Sequence, residues 1–294
     1  MRIAENHVSI TALTASMGLD QRVSSHQKGA VANRLVVIVE ISIGQEEQQL
    51  CLLSSHSTRL IWSLIGEAFG HDAWFQNSTN LDYSFKAIDS ILNFIKTSGR
   101  QNAFTIAPIN EPSDNFAGFA TPAGLTDDGV NWINTYIKGV LSRITKVDKR
   151  IPLMLQDAFF SEMFWSPFYP AGTNLVIDSH ICFFAAAGAY SQYVPAAVCG
   201  QAKYISQGDG KFPVFIGEFS LQTLYNNTLS NRKILYDTQV YAYQKYASGG
   251  AFWNGKMLNS VDGVDGEGKL QDYWSWEALA DAGVVSNTID QSYC

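Results

Sequence analysis

Apolar residues gather in short runs along the chain, and longer segments with helical spacing separate these runs. The runs lie at 34–41, 103–110, 150–157, 174–181, 212–219 and 249–255. They are nearly continuous rather than alternating, which is typical of strands buried on both faces, as in a parallel sheet. A weaker run at 8–13 is a further strand candidate.

The longest segment between two runs carries the spacing of an amphipathic helix. Its apolar positions within 80–99 step by four and three residues, and they are Leu81, Phe85, Ile88, Leu92 and Ile95. This spacing predicts a helix with a single buried stripe. Thr79 or Asn80 suits its N-cap, and Gly99 suits its C-terminal end.

Strands and helices are therefore expected to alternate along the chain, since 131–144 and 232–247 have the same helical spacing. This order is typical of an α/β fold with right-handed crossovers. An eight-stranded barrel of this class needs roughly 250 residues. Five strand candidates follow Ala103, but only 34–41 and the weaker 8–13 precede it. We predict an α/β fold of the (β/α)8 TIM-barrel type, incomplete or irregular at its N-terminal end.

Composition and charge exclude several classes of function. The net charge is −7 and no cluster of Lys and Arg offsets it, so we expect no nucleic-acid surface. No stretch reaches the roughly 20 consecutive apolar residues of a membrane-spanning helix, so we expect no membrane span. The aromatic content of 13% suits core packing, and it also suits the stacking of flat ligands such as sugar rings.

The cysteines and histidines do not have the spacing of a metal site. The chain has four Cys and five His, none in a ligand pattern, so we expect no metal and no cofactor. The segment 262–268 lacks the full ligand spacing of a calcium loop and predicts a turn. A bridge between Cys199 and Cys294 is possible and would tie down the C-terminal residue, but spacing alone does not establish it.

The sequence carries conflicting signals about localisation. Residues 1–22 do not have the pattern of a signal peptide, so the chain read literally is cytosolic. The triplets beginning at Asn77 and Asn226 are glycosylation acceptors, which are useful only in a secreted protein. Such triplets arise often by chance.

Polar side chains follow several of the predicted strands at the point where each strand ends. They are Asn110 and Glu111, Gln156 and Asp157, Asp178 and His180, Glu218, and Trp253. In α/β barrels the carboxyl ends of the strands hold the active site. Any one of these residues could simply cap a turn, but five strands that deliver such groups to one rim indicate a carbohydrate-cleaving site.

Two of these residues have the chemistry that glycoside hydrolysis needs. One carboxyl group must donate a proton to the leaving oxygen, and the other must be ionised to attack or to activate water. In retaining enzymes the two groups lie roughly 5–5.5 Å apart. Glu111 and Glu218 can meet this requirement only if their strands face each other across a barrel mouth, which the fourth and seventh strand positions allow.

Four motifs in this order resemble a known family. They are "INEP" at 109–112, "DSH" at 178–180, "IGEFS" at 216–220 and "AFWNGK" at 251–256. Together they resemble the exo-β-1,3-glucanases of fungi, which belong to glycoside hydrolase family 5, a retaining group built on the (β/α)8 barrel. The resemblance covers about residues 65–294, which we predict to be the catalytic barrel. It leaves 1–64 as a divergent or misassigned segment with one or two strands.

The resemblance implies a role for each matching residue. Glu111 is implied as the acid/base and Glu218 as the nucleophile, while Asn110 would hydrogen-bond the sugar 2-hydroxyl. His180 would hold the acid/base and nucleophile region in register, and Trp253 would form the platform under the sugar ring. We also predict substrate contacts for two further residues, Asp157 and Trp74.

The chain departs from the family pattern in three places. Cys182 stands where the family has a Tyr that hydrogen-bonds the nucleophile, and a thiol is a weaker donor. Phe219 stands where a Trp commonly follows the nucleophile. The glycine-rich Asp-Leu-His-Gly type of segment and the first two strands of the family are not visible upstream of Ile65. We expect a shortened or frame-shifted gene model to account for the third departure.

Three functions follow from these observations. The first is release of glucose from the non-reducing ends of β-1,3-glucan by a monomer, at the cell wall or outside the cell as the resemblance implies. The second is a truncated, non-catalytic glucan-binding or inactive remnant, which the missing barrel front and Cys182 favour. The third is transglycosylation of β-glucans, in which a sugar replaces water as the acceptor.

Overall fold

The computed structural model describes residues 11–12, 37–40, 74–185, 189–257, 262–285 and 292–294. The described residues fall into two compact units. The first contains 11–12, 37–40, 74–160 and 165–177, and the second contains 161–164 and the described residues from 178 onward. The predicted boundary between 64 and 65 lies outside the described residues and stays a prediction.

The first unit contains the strands β1 to β4, which neighbour one another in chain order. They are β1 (Thr11–Ala12), β2 (Val37–Glu40), β3 (Phe104–Ala107) and β4 (Leu153–Gln156). The β2 strand pairs parallel with β3, in the register Val37 to Phe104, and β3 pairs parallel with β4. The two-residue β1 pairs antiparallel with β2, unlike the strands of a regular barrel.

Two long helices of the first unit supply the predicted apolar stripes. Helix α1 (Ser78–Ser98) and helix α2 (Asp127–Val147) both pack a buried face. Leu81, Ile88, Leu92 and Ile95 of the predicted stripe are buried, as are Asn80, Ser84 and Ile91. Helix α1 ends at Gly99, whose φ of 66° is the left-handed conformation that glycine adopts without a steric penalty. Its N-cap is Asn77, so the prediction of Thr79 or Asn80 was wrong.

The second unit alternates strands and helices in the same way. Strand β5 (Leu175–Ile181) begins in the first unit and ends in the second. The elements that follow are α4 (Val194–Ile205), β6 (Val214–Phe219), α5 (Arg232–Tyr246), β7 (Gly250–Phe252), α6 (Gln271–Trp274) and α7 (Trp276–Asp281). A short helix, α3 (Glu162–Trp165), precedes β5. Strands β6 and β7 are parallel, with Ile216 opposite Gly250.

Five single-turn 3₁₀ helices lie within the described residues. They are Gln101–Ala103, Phe116–Gly118, Pro122–Gly124, Ser166–Phe168 and Leu229–Asn231. Four of them, all but the last, belong to the first unit. They shape the connections that lead into and out of the longer elements.

These elements make an incomplete (β/α)8 barrel, as the pattern of apolar runs predicts. Each run from 34–41 to 249–255 contains one strand, and each segment with helical spacing contains one long helix. Helix α4 was not predicted, because its apolar residues are interrupted by Pro195 and Gly200. Among the described residues, no helix combines the length and the apolar character that crossing a bilayer requires.

Candidate active site

Glu111 lies four residues beyond the end of β3, in a loop with an unusual backbone. Its φ is 41°, a left-handed value that residues other than glycine rarely adopt. The side chain is buried, with 8% of the residue exposed, and Pro112 and Ser113 beside it are buried as well. Asn110 before it is half-buried. A carboxyl group held in this way has little freedom to turn away from its position.

Two buried aromatic residues, Tyr136 and Trp74, pack beneath the chain that leads into this loop, one bonded to it and the other in contact with the first. The hydroxyl of Tyr136 in α2 donates a hydrogen bond of 3.0 Å to the carbonyl oxygen of Pro108. Trp74 packs edge-on against Tyr136, with ring centroids 5.4 Å apart, and its Nε1 donates to Ser84 at 3.0 Å. Only 1% of Trp74 is exposed. Trp74 is therefore a core residue in this structure, and its predicted sugar contact is not carried into the proposed site.

Asp157 directly follows β4 and makes hydrogen bonds within the loop that begins there. Its Oδ1 accepts a hydrogen bond of 2.8 Å from the amide of Phe159, and its carbonyl accepts one of 2.8 Å from Nε1 of Trp165. The backbones of Ala158 and Phe159 both have positive φ values, 49° and 64°. Asp157 is thus positioned by a tight turn at the strand end, and its predicted substrate contact stays a prediction.

In the second unit, His180 and Glu218 meet where β5 and β6 end. The distance between Nδ1 of His180 and Oε2 of Glu218 is 3.7 Å. Both residues are buried, with 8% of His180 and 6% of Glu218 exposed. The other ring nitrogen, Nε2, lies 3.7 Å from Oδ2 of Asp178. The imidazole of His180 is thus placed between two carboxyl groups.

Phe219 and Cys182, two departures from the family pattern, lie close to this group. Phe219 is buried and packs edge-on against Tyr243 and Phe252, with centroids 5.0 and 5.3 Å apart. Burial raises the pKa of Tyr243 well above its ordinary value, and the neighbouring Cys182 contributes in the same direction. Cys182 is half-buried and is not part of a disulfide. Phe219 is thus a core residue. Cys182 follows His180 by two residues and is close to Tyr243.

Trp253 directly follows β7 and is half-buried. Its amide donates a hydrogen bond of 2.8 Å to the carbonyl of Phe219, and the amide of Asn254 donates to the carbonyl of Trp274 at 2.6 Å. The peptide bond between Trp253 and Asn254 is cis. Nε1 of Trp274 donates to the side chain of Gln222, which comes from the loop after β6. The indole of Trp253 is therefore anchored through its backbone and has part of its surface open.

The structure joins Cys199 and Cys294 in a disulfide, with their Cα atoms 5.6 Å apart. The bond connects α4 to the last residue of the chain. Tyr293 next to it packs against Tyr241 of α5, and the Nζ of Lys245 donates to the carbonyl of Cys294 at 3.0 Å. The C-terminal residues are therefore fixed to two helices of the second unit.

The predicted site residues are divided between the two units. Asn110, Glu111, Asp157 and Trp74 belong to the first, and His180, Glu218 and Trp253 belong to the second. The pairing of Glu111 with Glu218 stays a prediction. The sequence marks Asp178 only as a strand-end residue. Its spacing of two from His180 along β5 places both side chains on the same face of the strand.

Solved structures similar to this chain include a rutinosidase and an endoglucanase. Rutinosidase from Aspergillus niger matches with a TM-score of 0.70 and 39% identity, over 75% of this chain and 62% of its own. The protein AoRut matches with a TM-score of 0.70 and 40% identity, over 75% and 61%. A broad-specificity GH5-4 endoglucanase from Clostridium longisporum matches with a TM-score of 0.50 and 17% identity, over 70% and 65%. No family model and no curated protein matches the chain.

These similarities define the fold as the barrel found in glycoside hydrolases. The endoglucanase match concerns the fold alone, given its low identity. The chain spans about three fifths of the length of the first two proteins, 62% and 61%. None of the three structures named above is an exo-β-1,3-glucanase by name, so the resemblance to that family stays a prediction from the motifs.

Proposed function

We propose that this protein is a retaining β-glycosidase in which Glu218 is the nucleophile and Glu111 is the acid/base. The observation that carries the proposal is the buried Glu218 at the end of β6, facing His180 at 3.7 Å, in a chain 39% identical to a rutinosidase. Glu111, in the loop after β3, supplies the second carboxyl group that the reaction needs.

The first step breaks the glycosidic bond and forms a glycosyl-enzyme. An oxygen of the ionised Glu218 attacks the anomeric carbon, and the bond from that carbon to the glycosidic oxygen breaks. The protonated Glu111 gives its proton to this oxygen, so the leaving group departs as a neutral alcohol. The backbone that holds Glu111 at φ 41° and the ring of Pro112 keep the proton donor in place.

The second step releases the sugar. Glu111, now ionised, takes a proton from water while the water oxygen attacks the anomeric carbon. The bond to Glu218 breaks, and both carboxyl groups return to their starting states. Two inversions at one carbon give net retention of the β configuration. Asn110 would hydrogen-bond the 2-hydroxyl, and the open face of Trp253 would stack on the apolar face of the pyranose.

The similarities favour a rutinoside as substrate over a glucan. The two solved structures with a TM-score of 0.70 are 39% and 40% identical to this chain, and the first is a rutinosidase. The four motifs of the chain favour instead the removal of glucose from the non-reducing ends of β-1,3-glucan. Both substrates would be cleaved by the same two glutamates, so the difference lies in the residues around the sugar.

The proposal is tested with the full chain and a set of glycosides. Turnover of a rutinoside, an aryl β-glucoside and laminari-oligosaccharides is measured for the wild type, Glu218→Gln, Glu111→Gln and the control Glu277→Gln. Glu277 is an exposed carboxylate paired with Lys256 at 2.9 Å, outside the proposed site. We expect Glu218→Gln to abolish turnover and the control to keep it. Full activity of Glu218→Gln would overturn the assignment.

The same measurement separates the other functions. A rutinoside cleaved much faster than laminari-oligosaccharides identifies a rutinosidase, and the reverse identifies a glucanase. Longer oligosaccharides among the products would indicate transglycosylation. Binding to glucan without turnover of any glycoside would identify the non-catalytic alternative, which the incomplete barrel and Cys182 favour.

We also propose that the protein acts as a monomer outside the cell, as the family resemblance implies. Gel filtration tests the first statement, because a dimer would elute at about twice the mass of 32.4 kDa. Detection of the protein in the culture medium rather than in the cell extract tests the second.

A further inference from the structure

We propose that Asp178 is a positioning residue for the nucleophile Glu218 and acts on it through His180. The inference rests on the proposed function for its catalytic consequence. It also makes a statement about the charge of His180 that can be measured without any substrate.

The imidazole of His180 has a carboxyl group at each ring nitrogen. Nδ1 lies 3.7 Å from Glu218 and Nε2 lies 3.7 Å from Asp178, both within ion-pair range but longer than a direct hydrogen bond. All three side chains are buried, so water screens these charges little. A neutral imidazole would turn a lone pair toward one of the two carboxylates. Two carboxylates therefore favour the imidazolium, which carries an N–H on both sides.

The second carboxyl oxygen of Asp178, Oδ1, points away from any described hydrogen-bond donor. This oxygen is buried and accepts no hydrogen bond from a described residue. A buried carboxylate oxygen without a donor is costly. The charge of the imidazolium compensates part of that cost, so Asp178 and His180 stabilise each other.

Gly217 makes room for this arrangement. A Cβ built on Gly217 would overlap Oδ1 of Asp178. Gly217 directly precedes Glu218 on β6, so the backbone that carries the nucleophile also forms the wall against which Asp178 rests. Only a residue without a side chain fits there while Asp178 keeps its place.

The arrangement has a consequence for the reaction. Asp178 keeps a proton on Nε2 of His180, and Glu218 faces the proton on Nδ1. The positive charge between the two carboxylates holds Glu218 ionised and oriented for attack on the anomeric carbon. Without the charge of Asp178 the imidazolium loses a counter-charge at Nε2, and the attack slows while sugar binding is preserved.

The test uses four variants of the full chain. Asp178→Asn keeps the shape of the side chain but removes its charge, and Asp237→Asn is its control. Asp237 is a buried carboxylate on α5, paired with Lys233 at 2.8 Å. Gly217→Ala displaces Asp178 without changing it, and Gly200→Ala is its control because a Cβ there meets nothing within 4 Å.

The first readout is the charge state of His180. The chain has five histidines, so ¹⁵N-histidine NMR gives few signals, and a His180→Asn sample identifies the one that matters. We expect both ring nitrogens of His180 to be protonated near neutral pH in the wild type and in the two controls. We expect Asp178→Asn and Gly217→Ala to give a neutral imidazole. A neutral His180 in the wild type, or an unchanged signal in both folded variants, would overturn the proposal.

The second readout is steady-state kinetics on the best glycoside. We expect Asp178→Asn to lower kcat by roughly ten- to a hundredfold, the range typical of outer partners of a functional histidine, with KM little changed. An unchanged kcat would overturn the positioning role. If the wild type cleaves no glycoside, the proposed function fails, and the NMR experiment still decides the charge of His180. If Asp178→Asn does not fold, Gly217→Ala provides the same comparison.

Discussion

At the scale of single residues, the backbone of Glu111 shows how the fold prepares a side chain for chemistry. A φ of 41° at a residue with a side chain costs roughly 1–3 kcal/mol and persists only where the surroundings impose it. The hydrogen bond from Tyr136 to the carbonyl of Pro108, three residues upstream, is one such constraint. The surrounding structure therefore holds Glu111, the proposed acid/base, in a backbone conformation that is locally unfavourable.

This constraint predicts the effect of Tyr136→Phe. The substitution removes the hydroxyl and leaves the carbonyl of Pro108 without this donor, which costs roughly 1–3 kcal/mol of unfolding free energy. We also expect a lower kcat, because the loop that carries Glu111 loosens. Urea unfolding and glycoside turnover measure the two effects. The exposed Tyr204→Phe is the control, and equal behaviour of the two variants would contradict the role of Tyr136.

Residue roles were only partly accessible from the sequence. Glu111 and Glu218 are predicted from the sequence because each lies at the end of an apolar run within a motif, and their catalytic roles stay proposals. Trp74 is a predicted substrate contact, and its burial and its hydrogen bond to Ser84, which place it in the core, depend on contacts that the sequence does not show. Asp178 was left without a role because the contact with Gly217 depends on the pairing of distant segments.

At the scale of elements, the helix boundaries show what local pattern predicts. The stripe on α1 and its end at Gly99 follow from spacing and from glycine chemistry. The start of α1 does not, because Asn77, Ser78, Thr79 and Asn80 are all good caps by type. The side chain of Asn77 accepts a hydrogen bond of 3.1 Å from the amide of Asn80, and this bond makes Asn77 the N-cap of α1.

The disulfide is the element-scale feature with the largest expected effect on stability. It closes a loop with a sequence separation of 95 residues and fixes the C-terminus to α4. Cross-links of this kind typically contribute about 2–4 kcal/mol, mainly by restricting the unfolded chain. We expect Cys294→Ser to lower the unfolding free energy by this amount, measured by chemical denaturation.

The control for the disulfide prediction is Cys182→Ser, which leaves the bridge intact. A reducing agent should destabilise the wild type and Cys182→Ser alike and leave Cys294→Ser unchanged. Equal stability of wild type and Cys294→Ser under oxidising conditions would contradict the prediction.

At the scale of the whole molecule, the buried tyrosines predict sensitivity to alkali. Burial raises the pKa values of Tyr136, Tyr169 and Tyr243 above the ordinary value of 10.0. In the unfolded chain these hydroxyls ionise near pH 10, whereas in the folded protein they keep their protons. Their contribution to stability is therefore complete below about pH 10 and is lost as the pH rises through the raised values.

In that pH range, each of these tyrosines lowers the free energy of unfolding by at most about 1.4 kcal/mol per pH unit. Urea unfolding at several pH values from 8 upward measures the slope. Above pH 10, Tyr136→Phe should make the free energy of unfolding fall less steeply with pH, by the contribution of one tyrosine. The same slope in the variant and the wild type would contradict the assignment of a raised pKa to Tyr136.

The fold class was predictable because the apolar runs and helical segments alternate in a way that few folds share. The antiparallel pairing of β1 with β2 was not predictable, since a two-residue strand has no pattern of its own. The substrate was not predictable either. Motifs around the two glutamates are common to enzymes of different specificity, and the similarity to a rutinosidase emerges only from the structure.

The central claim is a retaining mechanism with Glu218 as the nucleophile. It is tested by treating the protein with an activated 2-deoxy-2-fluoro-β-glycoside, which slows the second step and traps the glycosyl-enzyme. Mass spectrometry of the intact protein and of its peptides then locates the label. We predict one sugar per chain, attached to Glu218, and no label on Glu218→Gln. Turnover of the parent glycoside with no adduct, or with the sugar on another residue, would contradict the account.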